Sequence, residues 1–239
     1  MVTRIRSFQT IKRPSVVEEI IESFKQALIH GELRPGQRLP SEAELAQQLG
    51  VGRTALREAM KMLEALGVVN IQQGDGTHIV DEPSPSLLNP LVFAIMLEAG
   101  MGAELLELRS LVQVGYCQLA AQKATPEDLE RVAEAAQAWE SYARRTDRDV
   151  DRLTELDLDF HYAILDATHS PLVIKIGRTV EELFFASIRS TISKIEGVEW
   201  GIEGHRHILQ AIRDGNPETV RQAVVASLDY WGKEVSVYL

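Results

Sequence analysis

Apolar residues recur at helical spacing in the first part of the 239-residue chain, and two runs at strand spacing follow. The helical period predicts one amphipathic helix over residues 16–29 and two shorter helices within residues 41–66, with a turn at Gly50 between them. The β-prone runs, residues 68–72 and 77–80, bracket a glycine-containing turn and predict a hairpin. The two short helices and the hairpin together predict a winged helix-turn-helix domain.

The helix predicted after Gly50 has one apolar face and one basic face. Leu56, Met60 and Leu63 recur at i, i+4 and i+7, so they are expected to face a core. The opposite face carries four polar residues: Arg53, Thr54, Arg57 and Lys61. Three of these are cationic, whereas a solvated surface helix usually mixes both signs of charge. The row indicates a recognition helix for the DNA major groove, and an ordinary soluble helix is the alternative.

Apolar spacing predicts only helices in the remaining two thirds of the chain. A segment rich in Pro and Ser indicates a linker over residues 81–87. No strand pattern or repeat follows it, so we expect a mainly α fold, with a winged helix-turn-helix domain at residues 1–80 and an all-α antiparallel helical bundle at residues 88–239. Seven helices are expected in the bundle, near residues 88–99, 103–122, 126–145, 149–168, 171–193, 202–213 and 217–236.

The distribution of charge supports this division. The formal net charge is −10, which is unexpected for a DNA-binding protein until the chain is divided. Residues 1–80 contain ten Lys or Arg and nine Asp or Glu, whereas residues 81–239 contain fifteen and twenty-six. An acidic body repels the DNA duplex, so the near-neutral first part is expected to hold the reading surface.

Cysteine usage and hydropathy favour a cytoplasmic protein. The single Cys117 cannot form an intrachain disulfide. No charged-then-apolar leader and no long apolar span precedes residue 15, so we expect neither secretion nor association with a membrane.

Three polar residues fall on helix faces that are otherwise apolar. Asp157 and His161 lie at i and i+4 of one predicted helix, so both are expected to point inward. In a later helix, His205 shares a face with Ile208. A carboxylate and imidazoles on facing helices can hold a divalent metal. The alternative is a buried Asp-His pair that satisfies itself by a hydrogen bond.

Arg109 is a fourth inward candidate, because Leu105 and Val112 place it on the apolar side of its helix. A buried arginine needs an anion. Two partners fit equally well: the carboxylate of an effector, clamped through two hydrogen bonds, or an internal acid such as Asp157.

The first part of the chain resembles the GntR family of bacterial transcription regulators. The resemblance covers residues 14–80 and is carried by the first helix, then HGELRPGQRLPSEAELAQQLGVGRTALREAMKMLEALGVV and QQGDGTHI. It implies DNA-contacting roles for five residues: Arg53, Thr54, Arg57, Gln73 and Gly74. The chain departs from the family at Ala43, where an arginine is common, and at Asp75, where a basic residue is often found. Both departures change the contacts expected with the operator.

The helical part resembles the FCD effector domain of the FadR-type branch of the same family. The resemblance is carried by ELDLDFHYAILDATHSPLV and EGHRHILQAIRDGNPETVRQAVVASL. It implies that Asp157, His161 and His205 bind a divalent metal such as Zn, Ni or Mn, with Ser227 in place of the family's last histidine. Serine is a poor ligand for these metals. We therefore expect an open site that an effector carboxylate completes near Ser227 and Arg109; a weakened or empty site is the alternative.

Together these patterns predict a homodimeric repressor or activator that binds double-stranded DNA at a palindromic operator. A small carboxylate effector is expected to enter the bundle and change the spacing of the two DNA-reading domains. The alternative from another class is a metal-dependent helical hydrolase with a DNA-binding appendage. It is disfavoured because the chain has neither adjacent His-Asp ligands nor a His-Glu-x-x-His pair. A structural nucleoid protein is disfavoured by the acidic helical part.

Overall fold

A computed structural model of the chain describes residues 14–72, 74–82, 89–98 and 103–236. These residues form helices and one two-stranded sheet, and the chain divides into two compact units, Met1–Leu87 and Leu88–Leu239. The mainly α fold class is thus confirmed. The predicted linker over residues 81–87 falls largely outside the described residues. None of the described helices has both the length and the apolar content needed to cross a membrane.

The first unit consists of three helices and an antiparallel hairpin. Ser41 caps the second helix by accepting a hydrogen bond from the Glu44 amide, and the Glu44 carboxylate accepts one from the Ser41 amide in return. This helix ends at Gly50, whose φ of 66° is a left-handed conformation that glycine adopts without strain. The elements are α1 (Val16–Ile29), α2 (Glu42–Leu49), α3 (Arg53–Ala65), β1 (Val69–Gln72) and β2 (Gly76–Ile79).

Helix α3 buries its apolar side in the core of the first unit. Leu56, Met60 and Leu63 are buried as predicted, in one cluster with Ile20 and Phe24 of α1. Full burial of one such side chain contributes about 1.5–3 kcal/mol. The hairpin continues from α3, with β1 and β2 paired antiparallel. The winged helix-turn-helix prediction is confirmed, and the polar side of α3 is left on the surface.

The second unit is built from helices alone in the part of the chain that the structure describes. Local caps set several of their ends: Thr125 and Asp149 accept hydrogen bonds at two helix starts, and Gly215, with a φ of 70°, ends a third helix. The all-helical prediction is confirmed. The elements are α4 (Asn89–Glu98), α5 (Ala103–Lys123), α6 (Pro126–Ala143), α7 (Val150–Asp166), α8 (Pro171–Leu183), α9 (Phe185–Ile192), α10 (Ile195–Asp214) and α11 (Pro217–Ser236).

Two helix boundaries predicted for this unit are wrong. The helix expected over residues 171–193 is broken at Phe184, with φ −96° and ψ 0°, into α8 and α9. Apolar residues continue on both sides of the break, so periodicity does not reveal it. Helix α10 begins at Ile195, well before residue 202, and Gly197 lies in its first turn. A Cβ at Gly197 would lie 2.1 Å from the backbone oxygen of Thr191, so the close approach of α9 requires glycine there.

Two apolar clusters form the core of the second unit, and α7 contributes to both. One cluster contains Phe160 and Ile208, and the other contains Trp139 and Leu153. Helix α7 is consequently buried along most of its length. A polar side chain on its inner side is enclosed by apolar neighbours, where it is tolerated only if it is hydrogen-bonded or binds a ligand.

Candidate DNA-binding surface and metal centre

The polar side of α3 is exposed, as the helical spacing predicts. Arg53, Thr54 and Arg57 lie on it, and Lys61 extends the cationic row by one turn. Arg57 Nε lies 3.3 Å from the carboxylate oxygen Oε2 of Glu42 on α2. An exposed ion pair of this kind is worth little, so it does not prevent the guanidinium from binding a phosphate. The row has the charge and spacing to meet DNA phosphates and guanine edges.

The hairpin after α3 is the second predicted contact surface. Gly74 lies in its exposed turn with a φ of 90°, and Gly76 follows with a φ of 101°, both in the left-handed region that favours glycine. Gln73, also predicted to contact DNA, lies outside the described residues. A Cβ at Gly76 would lie 3.3 Å from Arg38 Nε. Glycine at position 76 thus lets the exposed guanidinium of Arg38 lie against the hairpin. Sequence reasoning missed this cation.

The structure brings Asp157, His161 and His205 together inside the second unit. Asp157 and His161 lie one turn apart on α7, and His205 reaches them from α10. His205 Nε2 is 3.2 Å from Asp157 Oδ1, and His161 Nε2 is 3.8 Å from Asp157 Oδ2. One nitrogen or oxygen atom from each of the three side chains lies within 4.8 Å of the others. All three residues are buried.

Aromatic packing orients the imidazole of His205. Phe160 stacks on it with 4.0 Å between ring centroids, and Trp139 meets it edge-on at 4.7 Å. In the described part of the chain, the Nδ1 atom of His205 has no hydrogen-bond partner. The ring is therefore held by packing and by its contact with Asp157.

A chain of polar contacts continues on the other side of His161. The Tyr116 hydroxyl on α5 lies 3.0 Å from His161 Nδ1 and donates a hydrogen bond of 2.9 Å to Glu181 Oε1 on α8. Arg109 Nη2 lies 3.6 Å from Glu181 Oε2. An internal acid was one of the two partners expected for Arg109, and the structure contains such a pair. The acid is Glu181 and not Asp157.

Sequence reasoning missed several buried polar residues around this site, among them Gln113, Tyr116 and Glu181. The helical spacing placed Glu181 on the inner face of α8. Gly177, four positions before it, and Phe184, three positions after it, are both buried. Gln113 lies one turn after Arg109 on α5, so an inward arginine implies an inward glutamine. Tyr116 resembled an ordinary core aromatic residue.

Burial sets the protonation states of these groups. Burial by itself raises the pKa of Asp157, but the hydrogen bond with His205 and the neighbouring basic groups outweigh it and hold the pKa below its usual range. Burial lowers the pKa of His161 and keeps its imidazole neutral. Burial, followed by the charge of Glu181, raises the pKa of Tyr116, so its hydroxyl keeps its proton. A carboxylate with a neutral imidazole is the state that binds a metal.

A small cavity lies beside the three residues. Its volume is about 70 Å³, and Arg109, Gln113 and Ser227 also line it. The Ser227 hydroxyl donates a hydrogen bond of 2.7 Å to the backbone oxygen of Val224 in its own helix. A Cβ at Gly204 on α10 would lie 3.1 Å from Ser227 Cβ, so this glycine keeps the space beside Ser227 open.

The donor set fits a divalent transition metal. Two imidazole nitrogens and a carboxylate oxygen suit Zn, Ni or Mn, and their mutual distances of up to 4.8 Å allow one ion to reach all three after small side-chain movements. The adjoining cavity has room for one more ligand. Asp157, His161 and His205 would hold the ion, and Ser227 would border the open position.

Two family models match the chain, one in each unit. Residues 16–79 match the model described as bacterial regulatory proteins, gntR family. Residues 104–230 match the FCD domain. Both candidate sites, the polar side of α3 and the Asp-His-His cluster, lie within the matched residues.

Several regulators are similar to the chain over most of its length. The HTH-type transcriptional regulator LutR of Bacillus subtilis is 33% identical over 204 residues, which are 83% of this chain and 91% of LutR. The putative L-lactate dehydrogenase operon regulatory protein of Escherichia coli is 27% identical over 221 residues, 89% of this chain and 83% of that protein. The solved structure of Streptococcus agalactiae GntR covers 92% of this chain and 100% of its own, with a TM-score of 0.60 and 24% identity; this likeness shows the fold.

Proposed function

Because the chain belongs to the gntR family of bacterial regulatory proteins and carries an FCD domain, we propose that its helical unit senses a small carboxylate with the help of a divalent metal. The chain is a DNA-binding transcription regulator and not an enzyme, so the hydrolase alternative is wrong. The observation that carries the sensing proposal is the buried Asp-His-His cluster beside a cavity. Since the DNA of a bacterium lies in its cytoplasm, the proposal includes a cytoplasmic location.

The DNA-binding part of the proposal assigns α3 to the major groove. Arg53, Thr54 and Arg57 contact bases or phosphates there, and the hairpin turn with Gln73 and Gly74 reaches the adjacent backbone. The exposure of the α3 residues and the backbone freedom of Gly74 support this assignment. Phosphate contacts position the domain, whereas bidentate arginine contacts with guanine specify the sequence.

The charge of the cavity favours a monoanionic effector. Arg109 and Glu181 form a buried pair whose charges cancel, which leaves one negative charge on Asp157. A bound divalent metal would supply two positive charges and a coordination position for an oxygen ligand. The loaded cavity would then carry one net positive charge, which a single carboxylate neutralises. Arg109 lines the same cavity, where a guanidinium can orient that carboxylate.

The lining of the cavity also favours a hydroxyl group on the effector. Gln113 is buried, lines the cavity, and has an Oε1 without a hydrogen-bond partner among the described residues. A hydroxyl both donates and accepts, so it can pair with either end of the amide. The volume of about 70 Å³ suits a ligand of few atoms. One relative is named for an L-lactate dehydrogenase operon, and L-lactate is a small hydroxymonocarboxylate, the class that we propose.

The walls of the cavity provide a route from effector binding to DNA binding. They come from α5, α7, α9, α10 and α11, so a ligand that bridges them biases how five helices pack. In a homodimer, such repacking can change the distance between two recognition helices. A coupling of this kind is typically worth about 1–3 kcal/mol.

We expect the protein to be a homodimer that protects an inverted repeat. One winged helix covers too few base pairs for specificity in a genome, and a two-fold protein matches two half-sites about one helical turn, or a multiple of it, apart. Sedimentation velocity gives the subunit number, and hydroxyl-radical footprinting gives the symmetry of the protected site. A stable monomer with an asymmetric footprint would contradict this part of the proposal.

The sensing proposal is tested by measuring operator affinity with and without effector. We expect L-lactate or glycolate to change the affinity of the Mn²⁺- or Zn²⁺-loaded protein by about 5- to 150-fold, and to have no effect after chelation of the metal. Propionate is the matched control for L-lactate because it lacks only the hydroxyl. If no small monocarboxylate changes operator binding by the metal-loaded protein, the sensing proposal is wrong, while the DNA-binding assignment still stands.

A further inference from the structure

A series of buried polar contacts, one ion pair and two hydrogen bonds, leads from Arg109 to His161. It passes from the Arg109 guanidinium to the Glu181 carboxylate at 3.6 Å, then to the Tyr116 hydroxyl at 2.9 Å, and then to His161 Nδ1 at 3.0 Å. The four residues come from α5, α7 and α8, and none is more than 4% exposed. We propose that Tyr116 and Glu181 are positioning residues that hold His161 in one tautomer, with its proton on Nδ1 and its Nε2 lone pair directed at the metal site.

The direction of each hydrogen bond follows from the number of protons available. A tyrosine hydroxyl has one proton to donate, and a carboxylate paired with a guanidinium can only accept. The Tyr116 proton therefore goes to Glu181. The oxygen of Tyr116 still has a lone pair, and at 3.0 Å it accepts a hydrogen bond from His161 Nδ1–H. A neutral imidazole carries one proton, so Nε2 is left unprotonated.

The distances on the other side of the ring agree with this assignment. His161 Nε2 is 3.8 Å from Asp157 Oδ2, which is too long for a hydrogen bond, although a carboxylate is the acceptor that a protonated Nε2 would seek. By contrast, His205 Nε2 lies 3.2 Å from the same carboxylate. The Nε2 of His161 thus makes no hydrogen bond with Asp157, in agreement with an unprotonated nitrogen.

Arg109 sets the direction of these hydrogen bonds. Its guanidinium neutralises Glu181, which is completely buried. A carboxylate paired with a guanidinium only accepts hydrogen bonds, so the Tyr116 proton points toward Glu181. In this account Arg109 acts on the metal site through Glu181 and Tyr116, in addition to lining the cavity.

The inference rests on the proposed function, since this tautomer matters for metal binding, but the tautomer can be measured without any metal. We expect nitrogen-15 NMR of histidine-labelled, metal-free full-length protein to show His161 with a protonated Nδ1 and an unprotonated Nε2. In Tyr116→Phe the two tautomers should both be populated. A wild-type His161 protonated on Nε2 would overturn the inference, whether or not the protein binds metal.

Metal affinity provides the second test. We expect Tyr116→Phe to weaken Zn²⁺ binding, measured by calorimetry with the metal alone, by about 10- to 100-fold, the usual effect of losing a group that orients a histidine ligand. Tyr162→Phe is the matched control, because Tyr162 on α7 donates to Glu182, the neighbour of Glu181 on α8, at 3.4 Å; it should bind Zn²⁺ like the wild type. A Tyr116→Phe dissociation constant within about twofold of the wild type would also overturn the inference. A wild type that binds no Zn²⁺ would instead count against the proposed metal site.

Discussion

Replacing Arg53 and Arg57 together with alanine is expected to weaken operator binding more than any other change on the surface of the first unit. Both guanidinium groups lie on the exposed side of α3, one turn apart. An arginine that reads a base contributes about 1–3 kcal/mol. If the two contributions add, affinity falls by a factor between about 30 and about 20,000. Gel-shift titration of an inverted-repeat operator at one fixed salt concentration measures this change.

The comparison of two DNA sequences identifies the role of each arginine. Replacing an arginine that reads a base weakens binding to the operator but not to random DNA. Replacing one that contacts phosphate weakens binding to both and lowers the salt dependence by about one unit. Arg213→Ala is the control, because Arg213 is exposed in the last turn of α10, in the other unit. Unchanged operator affinity in the folded double variant would rule out α3 as the recognition helix.

Asp157→Asn is expected to abolish tight metal binding and, with it, the response to effector. The substitution keeps the shape of a buried side chain and removes its charge. Loss of a group that merely orients a ligand costs about 10- to 100-fold in affinity, so loss of a ligand should cost more than about 100-fold. Because the two sites lie in different units, operator binding without effector should remain close to wild type. Calorimetry with Zn²⁺ and gel shifts with L-lactate measure the two effects.

Ser227→His adds a possible ligand to the same site, whereas Asp157→Asn removes one. The resemblance places the family's last histidine at this position, and Gly204 leaves space beside it. The added nitrogen should tighten Zn²⁺ binding and weaken effector binding, because it takes the open position. Ser227→Ala, which removes only the hydroxyl, should leave Zn²⁺ binding unchanged. If the wild type and Ser227→His are both folded and both fail to bind metal, the cluster is a hydrogen-bonded Asp-His pair, and sensing must rest on Arg109 and the cavity shape.

Local patterns in the sequence were sufficient to determine the architecture. The spacing of Leu56, Met60 and Leu63 determined which side of α3 is buried, and Ser41 and Gly50 determined where α2 begins and ends. These features depend on hydrogen bonds and side-chain periodicity within a few residues, which a single sequence displays directly. The same periodicity placed Asp157 and His161 on one inner face, since both belong to one helix.

Contacts between helices were decided only by the tertiary structure. Arg109 pairs with Glu181 and not with Asp157, and the break at Phe184 divides a segment whose pattern is continuous. Tyr116 had no visible role until α5, α7 and α8 were seen to bring it between Glu181 and His161. Which polar groups meet depends on the rotation and axial shift with which helices pack, and these are set by the shapes of many side chains at once. For this protein, the sequence by itself determined the fold and the inward positions of Arg109, Asp157, His161 and His205, whereas tertiary packing determined their partners.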